Sequence, residues 1–543
     1  MGLHNDYIIV NHHPLYPHLP ATFSRYPHHQ EVCPLAEYAE LEERSNSVVR
    51  NDLYGRLDIY ATVDDITPEN VMEELNSALV FHIKNMMEEE FLYWYRRGIQ
   101  PILGRTKDVR EDILNIVQEN HAEEFTAFKN GYFLTAPVNY SARRKGVQTR
   151  VKKLNEFLYR SGKYEADNKT ADWFHTVGKG VLYVEPNDDP EVPFKAYSLD
   201  PRSAFVCYSL RPGNAPVMGV NTVTVDGKVK FDVWTEKYVF RLSGTQTGKL
   251  MSTEKTHNYL VTATSLDAVE SNVLGRIPVI EYRYNSVNMG CFEAVIPLLD
   301  EINNITSNAC DGIEQFIQAL AIAVNCEFEE GTTLSDIRKA GFIQFRSTGE
   351  NKAEFKLLTE QLDQTQTKVL VDRLYDQALR IAALPARSSG QSTQSTTGQA
   401  VLANFGWYQA DCAARNTEDL YIESNRQFDR IIVDILKRKG LLDIDLNDFE
   451  PIFTHGEVAN VQAKAQAYQT LMAAGLHPEL AMAKSGISND PVKDAAMSEE
   501  YIKMVFGDPN KVVEEERAGS GKGEAVIVEE DRNNGENETG GSV

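Results

Sequence analysis

The spacing of apolar residues divides the first half of the chain into a helical part and a β-rich part. Between residues 68 and 118, apolar side chains recur at intervals of three and four, the period of an amphipathic helix. Residues 178–285 change to a period of two, and the alternation at 222–233 is centred on Asp226-Gly227. That dipeptide favours a type I′ hairpin turn, because both central residues need a positive φ. The pattern predicts helices followed by antiparallel strands.

A long amphipathic helix is predicted over residues 292–323. A seam of about 30 residues would span roughly 45 Å. Polar residues occupy the other faces, so we expect this helix to be solvated on one side and packed on the other. The apolar positions are Val295, Leu298, Ile302, Ile305, Ala309, Ile313, Phe316 and Leu320, and the polar positions are Asn303, Asn304, Thr306, Ser307, Asn308, Asp311 and Gln315.

Two further long helices are predicted over 360–384 and 399–439. Pro385 ends the first of them, because proline cannot continue the helical hydrogen-bond ladder. Gly440 follows the second, at a position where a left-handed cap is favoured. The chain therefore contains three long helices in its second half.

Two segments interrupt these helices. Residues 324–358 combine strands at 342–345 and 353–357 with a short helix, which predicts a compact αβ insert. Residues 386–398 are mainly Ser, Thr, Gln and Gly with a single charge, Arg387, and this composition predicts a flexible polar loop.

Both ends of the chain differ from its centre in composition. Residues 1–44 hold half of the twelve histidines among frequent prolines, which favours an extended arm over a neighbouring surface, with a metal site as the alternative. Shorter helices are predicted within 458–505. Residues 506–543 are acidic, rich in glycine and poor in bulky apolar groups, which predicts a disordered tail.

The charge balance bears on nucleic acid binding. The chain has 55 Lys and Arg residues against 79 Asp and Glu residues, a formal net charge of −24. This argues against a protein that grips phosphates over a broad surface, but not against one that lets DNA slide past. Residues 143–163 depart from this balance with eight bases and one acid. A nucleic-acid-binding face, a solvated helix face and a face that meets an acidic neighbouring subunit all remain open for this stretch.

No motif for catalysis, cofactor binding or metal binding is complete. Segment 519–523 is similar to a phosphate-binding loop, but Gly follows its lysine where Ser or Thr is required. Segment 443–447 begins like a calcium loop, yet Asp448 replaces the turn glycine and Thr454 replaces the bidentate glutamate. The six cysteines form no CxxC pair, which predicts neither a zinc cage nor a disulfide framework. No apolar run of roughly 18 residues occurs, so we expect no membrane contact.

The order of the elements resembles that of the portal proteins of tailed bacteriophages, in the form typical of long-tailed phages of Gram-positive hosts. A β-rich unit, a long helix, a small αβ insert, a second long helix, a polar loop, a third long helix and an acidic tail follow one another. The segments that carry the resemblance are KNGYFLTAPVNY (129–140), LDPRSAFV (199–206), LGRIPVIEYRYN (274–285), FEAVIPLLDEIN (292–303) and TGQAV (397–401).

The resemblance implies an α+β portal fold assembled as a ring, typically of twelve subunits, at one vertex of the capsid. Its parts would be an N-terminal arm (1–44), a wing that is helical and then β-rich (45–290), a first stem helix (291–323), a clip (324–358), a second stem helix (359–384), a tunnel loop (385–398), a long helix with a return to the wing (399–457), a helical crown (458–505) and the acidic tail (506–543).

The resemblance also implies partners and a location. The family has no catalytic site; the packaging ATPase (terminase large subunit) docks on the clip, and head-completion adaptor proteins replace it later. Major capsid and scaffolding proteins would surround the ring, and double-stranded DNA would pass through it with low affinity. The protein would reside at the capsid vertex of the virion, and in the host cytoplasm during assembly. The alternative is a soluble multidomain enzyme with an unrecognised site, which a molecular mass far below that of a ring would indicate.

Three groups of residues are expected to carry these roles. Ring packing is assigned to the stem residues Ile302, Ile305 and Phe316, and partner docking to the clip charges Glu329, Glu330, Asp336, Arg338 and Lys339. The DNA-facing tunnel loop contains Arg387, Ser388, Ser389, Gly390, Gln391, Ser392, Thr393 and Gln394. A loop with one positive charge suits a conduit, because each phosphate contact that releases counterions would hold the moving DNA back.

Overall fold

The computed structural model describes the chain from Gly55 to Tyr501 with interruptions. The described ranges are 55–107, 112–144, 146–225, 228–247, 260–317, 320–324, 326–327, 346–347, 354–358, 364–385, 406–453, 461–488, 494–498 and 501, with the backbone alone in 315–364 and 461–463. The predicted arm, polar loop and acidic tail, the strand at 342–345 and the short helix of the insert lie outside the described residues.

The helices of the described ranges are α1 (Val71–Arg96), α2 (His121–Phe133), α3 (Gln148–Arg160), α4 (Lys163–Val177), α5 (Ile296–Ile317), α6 (Gln364–Ile381), α7 (Trp407–Arg438), α8 (Val461–Ala473) and α9 (Pro478–Ser485), with short 3-10 helices at Pro101–Gly104 and Glu293–Val295. The strands are β1 (Ile59–Tyr60), β2 (Asn139–Ala142), β3 (Lys179–Pro186), β4 (Phe194–Leu199), β5 (Ala204–Tyr208), β6 (Pro216–Val225), β7 (Lys228–Trp234), β8 (Tyr238–Thr247), β9 (Leu260–Ser271), β10 (Val279–Arg283), β11 (Leu320–Val324), β12 (Cys326–Glu327), β13 (Arg346–Ser347), β14 (Glu354–Leu358) and β15 (Phe449–Ile452).

Two sheets form the β-rich part. The larger has the order β1-β5-β6-β7-β8-β9, with β1 parallel to β5 and the other neighbours antiparallel. The smaller is antiparallel with the order β10-β3-β4. Helix α1 packs apolar residues on the larger sheet, and α3, α4 and the second half of α7 enclose the smaller one. Pairs β11-β14, β12-β13 and β15-β2 complete the pairing among the described strands.

The long helices α5 and α6 pack as a pair. Their apolar residues form a third cluster with the last turns of α1 and with α2. By contacts the chain forms two compact units, 1–458 and 459–543. The described part of the second unit contains α8 and α9, which pack on each other.

Several predictions of local structure are confirmed. The alternating stretch around Asp226-Gly227 forms strands β6 and β7, in which Val225 pairs with Lys228 across a two-residue connection. Gly440 has a φ of +65° directly after α7 and acts as the predicted left-handed cap. The change from helical to β-rich structure occurs between α4 and β3, as the change of period indicates.

The first long helix is shorter than predicted. Helix α5 ends at Ile317, and residues 320–324 form strand β11, which pairs antiparallel with β14. The run from Ala319 to Val324 is wholly apolar, and an uninterrupted apolar run does not distinguish a buried strand from a helix. Helix α6 ends at Ile381, three residues before its predicted end, and α7 ends at Arg438, one residue before its predicted end; the predicted starts of both helices lie outside the described residues.

Candidate assembly and DNA-channel site

The start of α5 is fixed to the β-rich part by a buried ion-pair cluster. Glu293, in the turn before α5, accepts a hydrogen bond from the Arg56 guanidinium at 2.7 Å. The same carboxylate accepts bonds from the amides of Gly55 at 3.1 Å and Gly290 at 2.8 Å. Glu88 of α1 is a second partner of Arg56, at 2.7 Å. Residues far apart in sequence thus hold the beginning of α5 in one place.

Two glycines allow this junction to close. Gly55 and Gly178 both have a φ of about +90°, a backbone conformation that disfavours other residues. A Cβ on either would lie 2.0 Å from a carbonyl oxygen, of Val287 for Gly55 and of Asn288 for Gly178. The chain before α5 therefore lies directly against both glycines.

A fully buried carboxyl lies beside the cluster. Burial raises the pKa of Glu89 to about 8, and the nearby charges of Arg56 and Lys179 offset only part of this effect. Its Oε2 atom has no hydrogen-bond partner among the described residues. The carboxyl is therefore mostly protonated at neutral pH.

The predicted polar face of α5 is covered only in part, because Asn303, Ser307 and Asp311 are buried whereas Asn304 and Asn308 are exposed. Residues 113–119, which we call the strap, lie along that face and offer alternate backbone amides to it. The amides of Asn115, Val117 and Glu119 donate to Asp311 Oδ1 at 2.7 Å, Ser307 Oγ at 3.0 Å and Asn303 Oδ1 at 2.7 Å. All three acceptors are buried, one helical turn apart. Side chains of α5 thus satisfy backbone groups that would otherwise need a neighbouring strand.

The three bonds from the strap form a ladder along α5, and Asp311 has the most partners among its acceptors. Arg105 and Lys107 contact its Oδ2 at 2.8 and 2.6 Å, and Asn115 adds a side-chain bond to Oδ1 at 3.0 Å. Burial alone would raise the pKa of this carboxyl, but the hydrogen bonds from Lys107, Asn115 and Arg105 outweigh it and lower the pKa to about 2.

The outer side of the α5 and α6 pair carries exposed apolar residues. Ile313 is 47% exposed, Val369 63%, Leu370 45% and Ile381 55%. Antiparallel pairing of β11 with β14 returns the chain to the end of α5, so Ile313 lies at the same end of the pair as Val369 and Leu370. Single exposed apolar residues are ordinary on a protein surface, as Val80 and Phe81 of α1 show, whereas a contiguous group of them marks an interaction surface.

The basic stretch at 143–163 contacts acids and carbonyls of the same chain. Two of its ion pairs involve β15 and the preceding loop, and two of its hydrogen bonds reach the carbonyls that follow α7. These contacts are Arg143 with Glu450 and Arg144 with Asp448, both at 3.3 Å, Arg150 with the Asp443 carbonyl at 2.9 Å, and Lys153 with the Leu441 carbonyl at 2.8 Å. Arg160 pairs with Glu191 and Lys163 with Asp167. Part of the positive charge of this stretch is thus paired within its own chain.

The segment that begins like a calcium loop is occupied by cations of the protein. Asp445 pairs with Lys437, and the carbonyl of Asp443 accepts from Arg150. Across the described ranges, no group of three or more His, Cys, Asp or Glu residues could hold a metal ion. Cysteines 207, 291, 310 and 412 are free thiols.

A comparison with protein families identifies the family to which the chain belongs. The family described as "Phage portal protein, SPP1 Gp6-like" matches residues 82–504, well over half of the chain. The chain belongs to this portal protein family. The resemblance seen in the sequence is confirmed, and with it the α+β portal fold, a place in the phage particle and a structural rather than enzymatic family.

One solved structure similar to this portal protein is described as "Neck of empty GTA particle computed with C6 symmetry". The two chains share 11% sequence identity with a TM-score of 0.37, over 68% of this chain and 90% of that one. No curated protein matches the portal protein. Within the ranges described above, no helix is long and apolar enough to cross a membrane.

The structure describes some of the predicted site residues of the portal protein and not others. Ile302 is fully buried within its own chain, in the cluster shared with α1, α2 and α6, and Ile305 is half-buried. Phe316 belongs to the last turn of α5, where only the backbone is described. Their part in ring packing stays a prediction. The clip charges Glu329, Glu330, Asp336, Arg338 and Lys339 and the tunnel-loop residues Arg387 to Gln394 lie outside the described residues.

Sequence reasoning missed the residues that hold the start of α5 in place. Arg56 and Glu293 are 237 positions apart, and no local pattern links them. The strap had a readable signal, because Asn303, Ser307 and Asp311 repeat every four residues on one face of an amphipathic helix. A polar stripe at that spacing can hold another chain segment as well as it can hold water.

Proposed function

We propose that copies of this portal protein form a ring, of twelve subunits by resemblance to the family, that surrounds a channel for DNA packaging and ejection at one capsid vertex. Family membership supports the portal role. The observation that carries ring formation is the outer side of the α5 and α6 pair, with Ile313, Val369, Leu370 and Ile381 exposed in the single chain. Packing between neighbouring stems would remove these side chains from water, at about 25 cal/mol per Å² of apolar surface.

Mass in solution tests this proposal. The subunit has a mass of 61.1 kDa, and a dodecamer would be close to twelve times heavier. We expect light scattering after size-exclusion chromatography to give a ring mass, with ring-shaped particles in electron micrographs. A stable monomer at micromolar concentration, with no rings on grids, would refute ring formation.

The clip is proposed as the docking surface for the packaging ATPase and, later, for head-completion adaptors. Its charges Glu329, Glu330, Asp336, Arg338 and Lys339 would set specificity and association rate more than affinity. Reversing Arg338 and Lys339 to Glu should weaken binding of the terminase large subunit in a pull-down while rings still form. Unchanged binding would place the docking surface elsewhere.

The tunnel loop, 385–398, is proposed to face the DNA. One Arg387 per subunit would give a sparse circle of positive charge, enough to resist back-slippage but too little to bind DNA tightly. Arg387→Ala, or removal of residues 392–395, should leave rings intact and impair packaging or retention of the genome. Packaging and retention equal to those of the unmodified protein would end this part of the proposal.

The remaining partners follow from the same position. Major capsid and scaffolding proteins would contact the ring during assembly in the host cytoplasm, and the mature ring would stay at the vertex of the virion. DNA would be a passing ligand of low affinity, which agrees with the formal net charge of −24.

A further inference from the structure

The chain leaves helix α6 through a tightly bonded turn. The amide of Leu384 donates to the Leu379 carbonyl at 2.8 Å and that of Ala383 to the Arg380 carbonyl at 3.2 Å. These two bonds define a Schellman motif, in which the residue after the cap is left-handed. Ala383 is that residue, with a φ of +51°. The last described residue before segment 386–405 is thus one position beyond a fixed helix end.

Helix α2 holds this turn. The ammonium of Lys129 donates to the Ala383 carbonyl at 3.0 Å, and the Lys129 residue is only 6% exposed. The carbonyl belongs to the negative end of the α6 dipole, where a cation is favourable. Burial lowers the pKa of Lys129 to about 8, so this placement of a lysine has a cost that the contact must offset.

The same helix holds the other end of the segment. Trp407, the first residue of α7, lies with its ring 6.0 Å from that of Phe128 and 6.2 Å from that of Tyr132. Phe128, Lys129 and Tyr132 fall on adjacent turns of α2, three and four residues apart or next to each other. A direct bond joins the two ends, because Gln409 Nε2 donates to the Arg380 carbonyl at 3.3 Å.

We propose that α2 is the fixed base of segment 386–405, with Lys129 and Trp407 as the residues that position its two ends. This inference rests on the proposed function, in which that segment contains the DNA-facing tunnel loop. Both ends of the segment would then start from one helix in every subunit. The base would keep these ends at one level of the ring.

Hydrogen exchange on the purified full-length protein tests the base. We expect Lys129→Met to speed exchange tenfold or more at the Leu384 amide and also at the Ala410 amide, which bonds to the Gly406 carbonyl on the other side. Trp407→Ala should likewise speed exchange at the Ala410 amide, on its own side, and also at the Leu384 amide on the other side. A purely local role would change only the end that each side chain touches. Trp234→Ala is the matched control, because Trp234 is half-buried against Tyr183 in the wing at 5.1 Å.

Two outcomes separate this inference from the proposed function. Exchange within twofold of the unmodified protein at the end opposite the substitution would overturn the common base. Faster hydrogen exchange at both ends supports α2 as the common base, whatever the packaging experiment shows. If the same variants then package and retain DNA normally, the base stands and the DNA-facing role of the loop is refuted.

Discussion

Single residues in this portal protein show where burial and backbone geometry have a measurable cost. Glu89 lies fully buried beside Arg56 and Lys179, with its pKa raised to about 8. Ala383 is left-handed at the residue after a helix cap, where a left-handed residue is usually glycine. Neither residue belongs to an apolar or polar pattern that a sequence reveals, and each leads to a prediction about stability.

Glu89→Gln should flatten the pH dependence of stability. A carboxyl whose folded pKa is above its unfolded value stabilises fully at low pH, and this contribution is lost as pH rises from about 4.5 to about 8. We expect the unmodified protein to lose about 2–4 kcal/mol over this range through this group. Urea midpoints measured from pH 5 to pH 8 should fall less for the variant. Glu73→Gln, an exposed position on the same helix, is the control and should leave the slope unchanged.

Ala383→Gly should stabilise the protein by about 1 kcal/mol, because glycine adopts a positive φ without the Cβ penalty. The reverse substitution, Gly440→Ala after α7, should destabilise it by a similar amount. A Cβ at Gly440 would meet no atom within 4 Å, so backbone conformation alone decides that change. Thermal melting of both variants gives the comparison. A lower melting temperature for Ala383→Gly would contradict the strain argument.

At the scale of elements, the strap and α5 form the most specific contact. Asp311→Ala should destabilise this contact by about 2–4 kcal/mol, because Arg105, Lys107 and the Asn115 amide lose a common partner. The pKa of Asp311 is lowered to about 2, so its contribution is present above about pH 4 and lost as pH falls toward 2. Urea unfolding at pH 7 measures the loss. Asn304→Ala, on an exposed position of α5, should have little effect.

The elements also show how far a sequence predicts this fold. Period and turn chemistry predict α1, the β6 and β7 hairpin and the cap at Gly440, because these depend on neighbours in sequence. The end of α5 was missed, because an apolar run serves a strand or a helix equally well. The strap was missed because residues 68–118 were predicted to be helical, whereas α1 ends at Arg96 and residues 113–119 form no helix. The site residues divide in the same way. The composition of the tunnel loop can be read from the sequence alone, whereas the pairing of Arg56 with Glu293 requires the folded chain.

At the scale of the whole molecule, the proposed ring leads to a prediction about the exposed residues of the helix pair. Val369→Asp would place a charge among neighbouring stems of the proposed ring, where desolvation is costly. We expect this variant to remain folded and to run as a smaller species in size-exclusion chromatography. Val273→Asp is the control, because Val273 is 84% exposed in the connection between β9 and β10. Rings of normal mass from Val369→Asp would mean that other surfaces hold the subunits together.

The bonds between the strap and α5 join two chain segments whose spacing per bond differs slightly. Four helical residues advance about 6.0 Å, and two residues of extended chain advance about 6.6 Å. Three rungs absorb this mismatch, which grows by about 0.6 Å with each further rung. A slip by one rung toward the start of α5 would set the Glu119 amide against Leu299, which is buried and apolar. Helix α5 therefore cannot slide along the strap without breaking its three rungs at once, and a slip of one turn in that direction would re-form only two of them.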